Sequence, residues 1–81
     1  MEAYILIKIA RSMWIQSVVD KLMAMKGVEN VQLLFGDYDA IVKLNLPKIH
    51  EVENFVIEEI SMITGVESTI TLLCVDEKLV E

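Results

Sequence analysis

The sequence predicts an α+β fold of the ferredoxin-like kind: one four-stranded antiparallel sheet with two helices on one face, in the order βαββαβ. Three observations predict it. The chain repeats itself, because Met25-Lys26-Gly27-Val28-Glu29-Asn30-Val31 in the first half is answered by Ile63-Thr64-Gly65-Val66-Glu67-Ser68-Thr69 in the second. Each half runs from an apolar segment through a helical stripe to a Gly-Val-Glu stop and a second apolar segment, which is a βαβ unit. The halves are joined by Gly36-Asp37-Tyr38-Asp39, a short Gly/Asp-rich link of the sort that turns a hairpin, and two βαβ units joined by a hairpin make the split βαβ arrangement.

The elements follow in order. Ala3–Ala10 reads as a strand whose β-branched Ile5, Ile7 and Ile9 point to the core, with Tyr4, Leu6 and Lys8 on the other face. Ser12 is a candidate N-cap for a helix from about Met13 to Lys26, where Ile15, Val18, Val19 and Leu22 form one stripe. Met13, Met23 and Met25 read as gap-fillers of the core, and Trp14 as a partly buried anchor. Gly27 stops this helix. Val28–Phe35 is the second strand, with Val31, Leu33 and Phe35 on one face. Ala40–Leu46 is the third, with Ala40, Val42 and Leu44 on one face and Ile41 and Lys43 on the other.

Pro47 suits the first turn of a second helix, Lys48 to about Thr64. Its apolar stripe is Ile49, Val52, Phe55, Val56, Ile60 and Ile63, and Glu51, Glu53, Glu58 and Glu59 form the solvated side. Val66–Val75 is the fourth strand, and residues 76–81 form a charged tail. The sheet face away from the helices is then expected to carry Tyr4, Leu6, Leu34, Ile41, Thr69, Thr71 and Leu73. That is too much apolar surface to leave in water, so two copies are expected to stack sheet against sheet.

Composition points the same way. The chain has 81 residues, enough for a single domain over 1–81, and 54% of them are apolar. A domain of this size has little interior for so much apolar surface. The 13 acidic and 7 basic side chains leave a net charge of −6 with no basic cluster, which argues against direct nucleic-acid binding. No apolar run is long enough to span a membrane, and the start has no basic signal region. A single cysteine, Cys74, suits a reducing, cytoplasmic setting.

No catalytic or metal-ligating constellation stands out, and no cofactor motif. His50 is the one histidine, in the exposed first turn of a glutamate-rich helix, with neither a nucleophile nor a second ligand at motif spacing. A ligand-binding pattern is better supplied. Gly36 allows close approach to the backbone, and Asp37 and Asp39 offer negative charge to an ammonium. Thr69 and Thr71 present two hydroxyls from one strand face. The same residues are also ordinary turn and strand formers, and spacing alone favours that structural reading.

These segments together, Leu34-Phe35-Gly36-Asp37-Tyr38-Asp39-Ala40-Ile41-Val42-Lys43-Leu44 and Gly65-Val66-Glu67-Ser68-Thr69-Ile70-Thr71, resemble the effector-binding (RAM) domain of the Lrp/AsnC regulators over about residues 3–75. The resemblance implies a dimeric α/β barrel-like assembly, with four dimers joining into an octamer. It also implies an amino-acid effector held where dimers meet, with Gly36, Asp37, Tyr38 and Asp39 from one subunit and Thr69 and Thr71 from a neighbour. Full-length members carry a helix-turn-helix domain. This chain starts at the first strand, so it resembles a stand-alone form that could join full-length relatives and modulate them. Ser68 stands where many members have arginine, which points to a different ligand. Two other readings share the topology: a small dimeric α/β-barrel enzyme of the monooxygenase or isomerase type, and a purely structural assembly module. ACT domains also share it, but the Gly-Asp-Tyr-Asp turn favours the Lrp/AsnC type.

Overall fold

The computed structural model describes residues 1–75, so the charged tail expected at 76–81 lies outside the described residues. The chain runs β1 (Glu2–Ile9), α1 (Ile15–Met23), β2 (Val28–Leu33), β3 (Ala40–Asn45), α2 (Ile49–Phe55) and β4 (Val66–Leu73). The strands form one sheet in the order β2-β3-β1-β4, with every neighbouring pair antiparallel. This is the expected ferredoxin-like arrangement. The two parallel-running halves interleave, so that β1 and β3 are central and β2 and β4 are edges.

The core sits between the sheet and the helices. Ile5, Ile7, Val42 and Leu44 from the central strands meet Val18 and Leu22 of α1, Val52 of α2 and Ile60, all fully buried. Their alternation is the one the sequence predicts, because a central strand with one face under helices must put every second residue inside.

The helices are shorter than expected. Trp14 occupies the N-cap position of α1 instead of Ser12, and no side chain caps that end. Ser17 Oγ donates to Trp14 O (2.8 Å). Trp14 itself is 78% exposed and Met23 is exposed too, whereas Met13 and Met25 pack on the core as expected. In α2, Lys48 takes the N-cap position, one residue after Pro47, and its backbone N–H donates to Glu51 Oε2 (3.2 Å). After Phe55 the helix widens into a π-helical turn, Val56–Ile60, closed by Ser61 N donating to Val56 O (2.9 Å).

Two strands end early. Leu34 and Phe35 belong to the link rather than to β2, and Phe35 is fully solvent-exposed, so it does not share a packed face with Val31. Cys74 and Val75 lie beyond β4; Cys74 is half-buried, and its N–H donates to Glu2 O (3.0 Å).

The register corrects the assignment of faces on β4. Thr69 pairs with Ile7, Thr71 with Ile5 and Leu73 with Ala3, so these three share the helix-covered face. Ile70 and Leu72 pair with Leu6 and Tyr4 and take the helix-free face. That face therefore carries a row Ile41–Leu6–Ile70 and, beside it, Lys43–Tyr4–Leu72. It is still an apolar patch at the centre of the sheet, made of different residues from those expected.

Each half contains one β-bulge, at the same place in the repeat. Between β2 and β3 the register steps from Val28↔Leu44 to Asn30↔Lys43, leaving Glu29 unpaired. Between β4 and β1 it steps from Ser68↔Lys8 to Val66↔Ile9, leaving Glu67 unpaired. The glycines before them, Gly27 and Gly65, have φ of 100° and 102°. The bulge has a physical reason. Without it Glu67 would sit opposite buried Ile9, and with it Val66 takes that place and the carboxylate is released to solvent.

Candidate functional site

The link Leu34–Asp39 is fixed to the end of β1 by the backbone and side chain of Asp39. Its N–H donates to Ile7 O (2.9 Å), and its carbonyl accepts from Leu34 N (2.9 Å). Its Oδ2 accepts from Ile9 N (2.7 Å), across 30 residues of sequence. Asp39 thus continues the β1–β3 ladder past Ala40, and only its second carboxylate oxygen is spare for a ligand. Asp37 is fully on the surface, and Tyr38 and Asp39 are half-buried. Gly36 has φ of 151°, and a Cβ there would meet nothing within 4 Å. Space is therefore not what calls for glycine; the backbone conformation and the openness of the turn are.

Beside this link lies a cavity of about 500 Å³. It is lined by Gly36, Asp37 and Asp39 of the link, by Lys8, Ile9 and Arg11 at and just beyond the end of β1, and by Glu67 at the start of β4. The ends of β1 and β2 and the starts of β3 and β4 meet here, so the site is a property of one end of the sheet and not of one loop. Lys8, Arg11 and Glu67 were not singled out by sequence reasoning. The signal that could have found Glu67 is the doubled Gly-Val-Glu, whose glutamate falls at the wrong parity for a strand packed on helices.

Thr69 and Thr71 share one strand face, as expected, but they do not line this cavity. Thr71 lies in a separate groove of about 290 Å³ with Glu53, Val56, Ile57 and Leu73, between the π-helical turn and β4. Thr69 is half-buried beside Ile7. Within one chain the structure brings Gly36, Asp37 and Asp39 together and keeps Thr71 apart from them.

A further groove, lined by Lys26 and by Glu51, Glu58 and Glu59 of the second helical segment, is the solvated acidic side expected there. His50 is exposed in the first turn of α2. Among the described residues no helix is long and apolar enough to cross a membrane, and no group of three His, Cys, Asp or Glu is placed to hold a metal ion.

Comparison with known proteins places this geometry. The model of the Lrp/AsnC ligand binding domain matches residues 2–79. Homocitrate synthases of Sulfurisphaera tokodaii and Saccharolobus solfataricus are 36% and 38% identical over 72 residues, which cover 89% of this chain but 15% of each enzyme. Among solved structures, FFRP-DM1 superposes with a TM-score of 0.85 at 28% identity, covering 91% of this chain and 97% of that one. AsnC of E. coli superposes equally well, 0.85 at 23% identity, over 93% of this chain and 50% of its own. A transcriptional regulator of Neisseria meningitidis, solved with L-Met, gives 0.85 at 16% identity over 94% of this chain and 50% of its own. These last two likenesses show the shared fold. With the family model spanning nearly the whole chain, and the fold it requires present strand for strand, the chain belongs to the Lrp/AsnC ligand binding domain family.

Proposed function

We propose that the chain is an amino-acid-sensing regulatory module in which a small effector is held between subunits and shifts their assembly. One observation carries the reading. Gly36, Asp37 and Asp39 line one cavity of the chain and Thr71 another, and a ligand bridging two copies is the arrangement that lets both contribute. Such a ligand couples binding to association, because it contacts both sides of the interface it stabilises. Asp37 and the free oxygen of Asp39 meet the effector's ammonium, backbone N–H groups near Gly36 and Tyr38 meet its carboxylate, and Thr69 and Thr71 of a neighbour complete the shell.

The helix-free sheet face supports association. Tyr4, Ile70 and Leu72 remain 36%, 41% and 48% exposed in one chain, with Leu6 and Ile41 half-buried between them. Covering this surface with a second copy contributes several kcal/mol at ~25 cal/mol per Å², a useful offset to the ~4 kcal/mol or more that association costs. A sheet-face homodimer follows, and four such dimers give the octamer. The L-Met bound to the Neisseria regulator supports an amino acid as the effector class. The homocitrate synthases support a sensing role that is not tied to DNA contact, since a segment like this one occurs within a biosynthetic enzyme. Full-length Lrp/AsnC regulators are partners of matching fold, and a single cysteine fits the cytoplasm. The α/β-barrel enzyme reading needs a substrate cavity with an acid or base between sheet and helices.

Calorimetry against the common L-amino acids, with sedimentation velocity in the presence and absence of each, tests the proposal. Binding of at least one, accompanied by a change in subunit number, is the expected result. No heat with any amino acid and an unchanged sedimentation profile would overturn it.

A further inference from the structure

The two halves of the chain carry the same device in two different states. In the first half the bulged residue Glu29 lies next to Asn30, which pairs with Lys43, and Glu29 Oε1 is 3.8 Å from Lys43 Nζ. In the second half the bulged residue Glu67 lies next to Ser68, which pairs with Lys8. The two pairs are equivalent by strand, register and bulge. Yet among the described residues no carboxylate lies within 4.0 Å of Lys8, and the ion pairs present all involve Lys43. Lys8 and Glu67 instead both line the cavity beside the Gly36–Asp39 link, together with Arg11 and Asp37.

A cavity lined by both signs of charge matches a small molecule that carries both. At the equivalent place in the first half, Glu29 and Lys43 face each other instead. We infer that Lys8 and Glu67 form a zwitterion clamp: Lys8, with Arg11, takes the effector's carboxylate, and Glu67, with Asp37, takes its ammonium. The bulge is what makes this possible, since it turns Glu67 away from the core and towards the cavity. The ligand class is a free α-amino acid with both termini ionised, and its side chain is left to point out of the cavity towards a neighbouring copy. This inference rests on the amino-acid reading above: it adds Glu67 to Asp37 and Asp39 at the ammonium, and Lys8 and Arg11 to the backbone N–H groups at the carboxylate.

The test is calorimetry with the best-binding L-amino acid, its α-amide and its N-acetyl derivative, on wild type, Lys8→Gln, Glu67→Gln and Glu29→Gln. Lys8 and Glu67 are exposed, so these substitutions leave the core alone. Wild type is expected to bind the free amino acid about tenfold or more tightly than either derivative, since each lacks one charge-assisted contact. Lys8→Gln should bind the amino acid about tenfold more weakly and lose its preference over the amide. Glu67→Gln should lose its preference over the N-acetyl form, and Glu29→Gln should match wild type. If wild type binds but Lys8→Gln and Glu67→Gln stay within twofold of Glu29→Gln, the clamp is wrong and the sensing role stands. If wild type binds no amino acid, both fall.

Discussion

Replacing Asp39 by alanine should weaken the fold as well as any ligand contact. Its Oδ2 is the acceptor for Ile9 N at 2.7 Å, in a part-buried position at the end of a central strand. Alanine leaves that N–H without a protein partner where solvent reaches it only in part. An unsatisfied donor of this kind costs about 1–3 kcal/mol, and partial access to water puts this one near 1.5 kcal/mol. For a domain of this size each kcal/mol moves the midpoint by about 4–8 °C, so Asp39→Ala should melt roughly 6–12 °C below wild type. Asp39→Asn keeps an acceptor oxygen in the same place and should lose less than about half of that. Circular dichroism melts at one fixed protein concentration read the effect, because association would otherwise move the midpoint as well. An Asp39→Ala midpoint within about 2 °C of wild type would refute the bridging role. The practical consequence is that lost ligand binding in Asp39→Ala cannot be assigned to the ligand contact until the melt has been measured.

Other perturbations separate the remaining claims. Gly65→Ala forces a side chain into a φ of 102° and places its Cβ 2.6 Å from Met13 Cγ. Left-handed strain of about 1–2 kcal/mol plus displacement of Met13 should lower the urea midpoint clearly; an unchanged midpoint would show that the backbone relaxes. Lys43→Met removes two partly exposed pairs at 3.8 and 3.9 Å, and chemical denaturation should register less than about 0.5 kcal/mol. Leu6→Lys puts a charge in the middle of the Ile41–Leu6–Ile70 row; light scattering should report monomers with an unchanged far-UV spectrum, and persistence of the wild-type assembly would place the interface elsewhere.

Legibility followed burial. On β1 and β3 one face lies under both helices, so alternation in the residues reports the core, and Ile5, Ile7, Val42 and Leu44 are where it says. Both helical stripes were readable for the same reason, through Val18, Leu22, Val52 and Ile60. Their ends were not, because Ser12 and Pro47 are compatible with a helix start without compelling one, and tertiary packing places α1 after Trp14 and α2 after Lys48. On β4 the pattern Thr69-Ile70-Thr71-Leu72-Leu73 has apolar groups at both parities, as an edge strand exposed on both faces allows. Only the pairing with β1 assigns them, and it puts the threonines over the helices.

By itself the sequence determined the order of the elements, the internal repeat and the turn between the halves, since each of these is written in local spacing, while its family came through resemblance of those segments. Tertiary structure decided which residues stand around that turn. A bulge consumes one residue and reverses the face of everything beyond it, and the doubled Gly-Val-Glu that accompanies it does not by itself fix the register. Glu67 therefore reaches the cavity beside Lys8 while Glu29, its counterpart in the repeat, meets Lys43. The difference comes from what the folded chain sets next to each pair.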